Sequence, residues 1–398
     1  MKRVVVLGGA GAMGRIIARD MKQAGICAPV IADRDLGPAR GLDVEAVAVD
    51  VGDPASLARA LGGAFCVIAS LPYRMNLLAM DAALAARVHY IDLGGLFHTT
   101  FKQRTRHQAF CDAGLMAILG MGSAPGILNV MAAHAALGMT QVDEVHCMVG
   151  AHDGTRWQVP PLLPFGYSPD TLLDEFAMPS AVFRGGQMCM VPPLDPGERR
   201  RERFPDPVGE IDLDTTLHSE VATLPEFFRA RGVREVSFRQ GFDARFADRL
   251  RLLVQLGLVD TTPVELAADA VGGPAAVVPR ALLKALLTRL PAPEAAGPID
   301  RHEILRVRVV GLVGGARQSV TLDCHAGAEA GGGVGPDIDT GAPPSIAAQL
   351  MGDELALRPG VYAAEEVIPW VPFARELHLR QMLVTPELRE ALPDGLAT

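Results

Sequence analysis

Residues 3–14, RVVVLGGAGAMG, decide the fold. The run RVVVL is apolar and β-branched, as in strands buried on both faces of a parallel sheet, and it enters glycines without a polar break. Beyond them Ile17, Met21 and Ala24 recur at helical spacing until Gly25. The pattern is strand, turn, helix, with Gly9, Gly11 and Gly14 in Gly-x-Gly-x-x-Gly order. Alone that order is a weak signal. Here an acidic residue, Asp33, follows about 20 residues later at the end of the next strand, which makes the segment a Rossmann dinucleotide fingerprint. Gly9 permits the tight turn, Gly11 lets the backbone approach a diphosphate, and Gly14 lets the helix lie close on the sheet. The N–H groups of Ala12 and Met13 then present the positive end of the helix to the anion.

Outward from this segment the strand–helix rhythm continues. PVIAD ends at Asp33, AVAVD at Asp50, and FCVIAS spans 65–70; a helix from Pro54 to Leu61 and another over 76–87 lie between and after them. HYIDL and LMAILG follow, with a polar helix between. Alternation of this kind predicts an α/β fold with a doubly wound parallel sheet over residues 1–122. After Gly122 the rhythm changes to a helix near 126–137, isolated strands such as QVDEVHCMV and REVSFRQGF, and long connections. That predicts an α+β substrate and dimerisation domain over 123–342. ILRVRVVGLV and QSVTLDCHA, joined by GGA, read as an antiparallel hairpin, and GAEAGGGVGP at 327–336 as a loop too rich in glycine to pack. Residues 343–398 are expected to begin with a helix and return to the first domain.

The chain of 398 residues is 49% hydrophobic and 21% charged, which suits two folded domains. A net charge of −9 argues against a nucleic-acid partner. No stretch is long and apolar enough to span a membrane, and the N-terminus reads as a buried strand rather than a leader, so the cytoplasm is the expected location. The six cysteines lack zinc spacing and read as free thiols, with no metal site.

Asp33 is placed to accept hydrogen bonds from the adenosine ribose and to repel a 2′-phosphate, favouring NAD, while Arg34 leaves NADP open. Asp50 either reaches the adenine edge or caps its own turn. Ala69, Ser70, Leu71 and Pro72 stand just beyond the fourth strand, where a dinucleotide lies across the carboxyl ends of a parallel sheet.

With these positions assigned, the chain resembles the saccharopine dehydrogenase-like oxidoreductases, in particular the lysine 6-dehydrogenase type. The resemblance runs through GAMG (11–14), HYIDLGG (89–95), APGILN (124–129), PPL (160–162), LHS (217–219), RLRLLVQLGL (249–258) and RPGVY (358–362). It implies oxidation of an amino-acid C–N bond, or reduction of the corresponding imine, with a nicotinamide cofactor, and it implies a homodimer. It also implies that Tyr73 and Asn76 lie beside the nicotinamide, that Asp92 belongs to the same region, and that Pro125 and Gly126 open a helix facing cofactor or substrate. Asn129 matches the lysine 6-dehydrogenase pattern.

Hydride transfer to or from a C–N bond needs a group that moves a proton, and three side chains qualify. His218 has the resemblance and a suitable imidazole; it either handles the proton or sits hydrogen-bonded beneath the pocket. Tyr73 either donates to the same centre or stacks under the nicotinamide. Asp92 either accepts a proton or anchors the loop GGLFH. Ser219, Glu220 and Thr223 follow His218 as substrate contacts, Glu220 being either a receptor for a substrate cation or merely solvated. Arg239 is the candidate carboxylate fork, one residue from where the resemblance expects it, and otherwise an ordinary strand arginine. Trp157 and Phe165 either wall the cavity or pack in the core. The competing functions are an NAD(H)-binding redox sensor without turnover and a reductase of a polyamine-derived imine. The last predicts an acidic pocket instead of an arginine clamp.

Overall fold

The computed structural model describes residues 1–163, 167–266, 275–291, 293–327 and 337–393. Lys2–Leu7 (β1) leads into Ala12–Ala24 (α1), and strands Cys27–Asp33 (β2), Glu45–Ala48 (β3), Cys66–Ala69 (β4), His89–Asp92 (β5) and Met116–Leu119 (β6) follow with helices between them. They lie in the order β3, β2, β1, β4, β5, β6, every pair parallel. The winding reverses between β1 and β4, where Leu7 and Ala69 end side by side, and that switch point is where an open parallel sheet leaves a crevice. Val4 to Leu7 are fully buried, as a strand covered on both faces must be.

The end of the chain returns to this domain. Gly360–Ala363 adds a parallel strand beside β6. Ile338–Leu350 packs on α1 so closely that a Cβ at Gly341 would come within 2.4 Å of Ile16 Cγ2. This helix begins five residues before the Pro343 at which the sequence suggested a start. Pro343 and Pro344 instead occupy its second turn, and lacking N–H groups they leave the Thr340 carbonyl with neither an i+3 nor an i+4 donor. Burial of the helix on all sides outweighs that loss.

The second domain carries a mixed ten-stranded sheet in which Gln141–Asp153 (β7) lies between Glu235–Gly241, parallel to it, and Arg301–Val313, antiparallel. The expected hairpin is present, Arg301–Val313 with Ala316–Ala326, turned by Gly314 and Gly315 at φ 59° and 85°. Both its outer sides are occupied, by β7 on one and by Leu383–Val384 and Leu388–Ala391 on the other. Its own strands therefore are not at an edge; the ends of the strand order are Gln187–Val191 and Leu383–Val384.

Strand parity decides what this sheet shows to the first domain. Cys147, Phe238, Leu305 and Val307 face the core shared with the first sheet, while Met148 and Ile304 face the other way, toward Phe204 and Leu213. Among the described residues no helix is long and apolar enough to cross a membrane, and no His, Cys, Asp and Glu cluster suits a metal. Phe165 and most of the stretch 327–336 lie outside the described residues.

Candidate active site

The glycine turn is built as a cradle. Gly8 and Gly9 donate to the Ala32 carbonyl at 2.9 and 3.3 Å. At φ 71° Gly8 stands so near β4 that a Cβ would lie 2.1 Å from the Ser70 carbonyl, a requirement that the sequence reading missed because Gly8 precedes the motif. A Cβ at Gly14 would meet the Gly8 carbonyl at 2.3 Å. Gly11 and Ala12 are exposed, Met13 partly so, and α1 has no side-chain cap, so its first N–H groups are left for an anion. Asp33 fixes the turn by accepting from Ala10 N at 3.1 Å, and Arg34 beside it is exposed. These residues fit a dinucleotide. Asp50 accepts from Gly52 N at 2.8 Å and is the cap of its own turn.

Beyond β4 and β5 two of the expected contacts are interior supports. Asp92 is fully buried, and its Oδ1 accepts from Gly94 N at 2.9 Å and Gly120 N at 2.8 Å. Its Oδ2 takes Tyr90 Oη, Asn76 Nδ2 and Gln103 Nε2. Every lone pair is engaged, so Asp92 anchors the loop and leaves the set of proton-transfer candidates. Asn76, 1% exposed, does the same work by also donating to the Gly94 carbonyl.

The first N–H groups of the helix Ile127–Ala135 are taken up within the turn that opens it. Ile127 N and Leu128 N donate back to Gly122 O and Ser123 O, and Gly126 N to Asn129 Oδ1, so the expected anion site is closed by its own turn. Pro125 packs against Gly94 and Gly120. Asn129 Nδ2 donates to Thr223 Oγ1 at 3.3 Å and to Glu365 Oε2 at 3.0 Å, which makes Asn129 and Thr223 a buried support one helical turn from Glu220. Burial pushes Glu365 up to about 7. Ser219 accepts from Thr100 Oγ1 and ties the His218 segment to the first domain.

Several buried titratable groups converge around His218. Its ring stacks on Phe238 with centroids 3.8 Å apart and planes 10° from parallel. Nδ1 lies 2.7 Å from Glu220 Oε2, and Nε2 lies 3.8 Å from Glu175 Oε1, a gap too long for a direct hydrogen bond. Glu175 accepts from Tyr167 Oη at 2.5 Å through its other oxygen. Burial raises Glu175 to about 7, against the lowering pull of His218 and Tyr167. For His218, burial works downward, and the adjoining Glu220 and Glu175 carboxylates outweigh it and raise its affinity for a proton. Glu175 Oε1 and Glu220 Oε1 are buried with no hydrogen-bond donor among the described residues. Glu220 is thus the partner of His218 rather than a solvated loop residue.

Tyr73 reaches across from the first domain. Its hydroxyl donates to Asp174 Oδ2 at 2.7 Å, beside Arg74 Nη2 at 2.6 Å, while Arg280 Nη1 holds Asp174 Oδ1 at 2.7 Å. Burial, together with the Asp174 carboxylate, pushes the Tyr73 phenol up, so it remains a donor committed to this clasp. Arg239 is turned away. It follows Phe238 on the strand, so it occupies the opposite face, where it donates to Ser237 Oγ at 2.7 Å and Glu198 O at 3.2 Å. The proposed carboxylate fork is therefore absent from the His218 cleft. Trp157 sits, half-buried, in a short ladder with Glu294–Ala295.

Asp174, Glu175, Tyr167, Arg280 and the Glu303–Asp339 pair were missed by the sequence reading. One signal was available: in LLDEFA, Glu175 falls three residues after Leu172, on the helix stripe continued by Phe176, a poor position for a merely solvated carboxylate.

Comparison with known proteins agrees with this architecture. Residues 4–118 match the family model described as saccharopine dehydrogenase NADP binding domain, and residues 122–382 the saccharopine dehydrogenase C-terminal domain. The chain is 25% identical to carboxyaminopropylagmatine dehydrogenase of a Synechocystis species, over 95% of both chains. It is 27% identical to carboxynorspermidine synthase of Vibrio cholerae, over 76% of this chain and 73% of that protein. Among solved structures, apo saccharopine dehydrogenase (L-Glu forming) from Saccharomyces cerevisiae superposes with a TM-score of 0.71 at 15% identity, over 99% of this chain and all of that one.

Proposed function

The chain belongs to the saccharopine dehydrogenase family and is a nicotinamide-dependent oxidoreductase of that type, and we propose that it reduces an imine formed between a carboxylate-bearing aldehyde and a polyamine-like amine. The observation that carries this reading is the charge gathered around His218. His218 stands between two buried glutamates, each with an oxygen awaiting a donor, while the arginine expected to grip a carboxylate lies on the other face of its strand. A cationic amine supplies those donors. The names of the two relatives, carboxynorspermidine synthase and carboxyaminopropylagmatine dehydrogenase, contain compounds that join such an amine to a carboxyl group.

The bound nicotinamide supplies a hydride to the imine carbon. The protein's part is the proton: the C=N π pair becomes the nitrogen lone pair, and the nitrogen keeps a proton drawn from the His218–Glu175 pair. Protonation before transfer makes the carbon a better hydride acceptor. Glu220 fixes the imidazole, Phe238 supports its face, and Tyr73 with Asp174 closes the crevice from the first domain.

The test is oxidation of NADH or NADPH in the presence of an amino-acid semialdehyde and a panel of amines. 1,3-Diaminopropane, putrescine and agmatine are expected to be coupled far faster than propylamine or ammonia. Oxidation of lysine as the only reaction, or binding of the dinucleotide without turnover on any of these compounds, overturns the reading. Cofactor choice follows from Asp33: NAD is expected to bind several-fold more tightly than NADP, and Asp33→Ser to narrow the difference. A wild-type preference for NADP reverses that assignment. The homodimer implied by the resemblance is part of the same proposal, and a monomer in sedimentation velocity at micromolar concentration rejects it.

A further inference from the structure

Glu303 is the third residue of the strand Arg301–Val313 and lies on the face that also carries Leu305 and Val307, the face turned toward the first domain. It meets Asp339, in the first turn of the helix Ile338–Leu350, carboxyl to carboxyl. The next residue, Thr340, is 2.9 Å from Ser123 Oγ just beyond β6, so the pair stands at the carboxyl ends of the parallel strands. Tyr167, the residue that donates to Glu175, also lies within electrostatic range of Glu303. One tyrosine therefore links this pair to the His218 centre. Glu303 keeps some accessible surface, whereas Asp339 is 2% exposed and its Oδ2 has no hydrogen-bond donor among the described residues.

Two facing carboxyl groups in a dry place need a proton or a cation between them. The positive end of the helix favours Asp339 as the anion, which leaves the pair short of one positive charge. We infer that Glu303 and Asp339 form the subsite for the distal ammonium group of a diamine-derived substrate, whose other nitrogen is the one at His218. The inference rests on the imine-reductase reading above. It adds a specificity determinant remote from the bond that is reduced.

In the free protein the pair holds its shared proton, since burial raises Glu303, and burial together with Glu303 raises Asp339 well above the usual carboxylate range. Among the described residues Asp337, Arg301, Tyr167 and Cys324 are the other titratable groups facing it; Asp337 adds to the negative field, and Arg301, 3.7 Å from Asp337, works against it. Arrival of an ammonium displaces the proton, so diamine binding near neutral pH releases it.

The experiment is calorimetric titration of the full chain, saturated with NADPH, with 1,3-diaminopropane and with propylamine, in two buffers of different ionisation enthalpy. Wild type is expected to bind the diamine with proton release, and Glu303→Gln and Asp339→Asn to weaken it by at least tenfold and abolish the release. Propylamine binding should stay within threefold in all three proteins. Retained NADPH affinity and melting temperature show that the variants are folded, and these substitutions preserve shape while removing a charge. In steady state the variants should lose about 10²-fold in kcat/KM for the diamine through KM, with propylamine unaffected. Equal diamine affinity in wild type and variants, equal losses for both amines, or no diamine binding by wild type overturns the inference even if imine reduction stands. Diamine binding that the variants lose, in a protein that reduces no imine, upholds the subsite and rejects the proposed reaction.

Discussion

Replacing His218 by alanine is expected to lower kcat by about 10²–10⁴-fold while leaving dinucleotide affinity unchanged, because its partners Glu220, Glu175 and Phe238 all belong to the second domain and none to the glycine turn. The pH profile gives the sharper readout. In wild type the reduction needs the His218–Glu175 pair protonated, so activity falls as pH rises through the values of the pair, about 7 for Glu175 and above the ordinary imidazole range for His218. The positive imidazole holds Glu175 down; without it the Tyr167 hydrogen bond alone works against burial, and the carboxyl keeps its proton to higher pH. The residual activity of His218→Ala should accordingly lose its alkaline limb at a higher pH than wild type. A variant with unchanged kcat, or one whose alkaline limb moves to lower pH, removes His218 from the proton path.

Asp174→Ala is expected to destabilise the chain by about 3–5 kcal/mol, the usual consequence of stripping one member from a buried ion pair. Asp174 and Arg280 have side chains only 3% and 10% exposed. Arg280 retains one bond, Nε to the Val259 carbonyl at 2.6 Å, but its other donors lose their anion. Tyr73 and the more exposed Arg74 lose the same acceptor, so the tie between the first domain and the helix Pro169–Ala177 goes with it. Denaturant titration with and without NADPH measures both effects, and Asp174→Asn should recover part of the stability by keeping an acceptor for Arg280. A loss below about 1 kcal/mol means that water reaches Arg280 and that the clasp is not what holds the cleft closed.

The two substitutions separate the parts of the site that were legible from those that were not. His218 stands out in the sequence because a neutral-range titrating side chain follows a strand in a resemblance-bearing segment. Asp174 has no such mark: its role depends on Tyr73 and Arg280, 101 and 106 residues away in the chain. Arg239 shows the reverse case. Its residue type was right for a carboxylate fork, but alternation along the strand sends Phe238 to His218 and Arg239 to the far face. The one-residue displacement already visible in the sequence was enough to exclude it.

What the sequence determined by itself is what local rules govern: the apolar β-branched strands, the glycines that admit no side chain, the strand-helix alternation that fixes a parallel sheet, and the acidic residue closing the second strand. Each depends on residues within a few tens of positions of one another, where period, turn chemistry and steric exclusion act directly. Only the tertiary structure decided which polar groups are buried together. Asp92 became an anchor because five donors from four segments converge on it, and Glu175, Glu220 and Asp339 became candidate site groups because distant strands and helices bury their carboxyls. A carboxylate's affinity for a proton or a cation is set by its desolvation and its neighbours, and neither exists until the chain has closed around it.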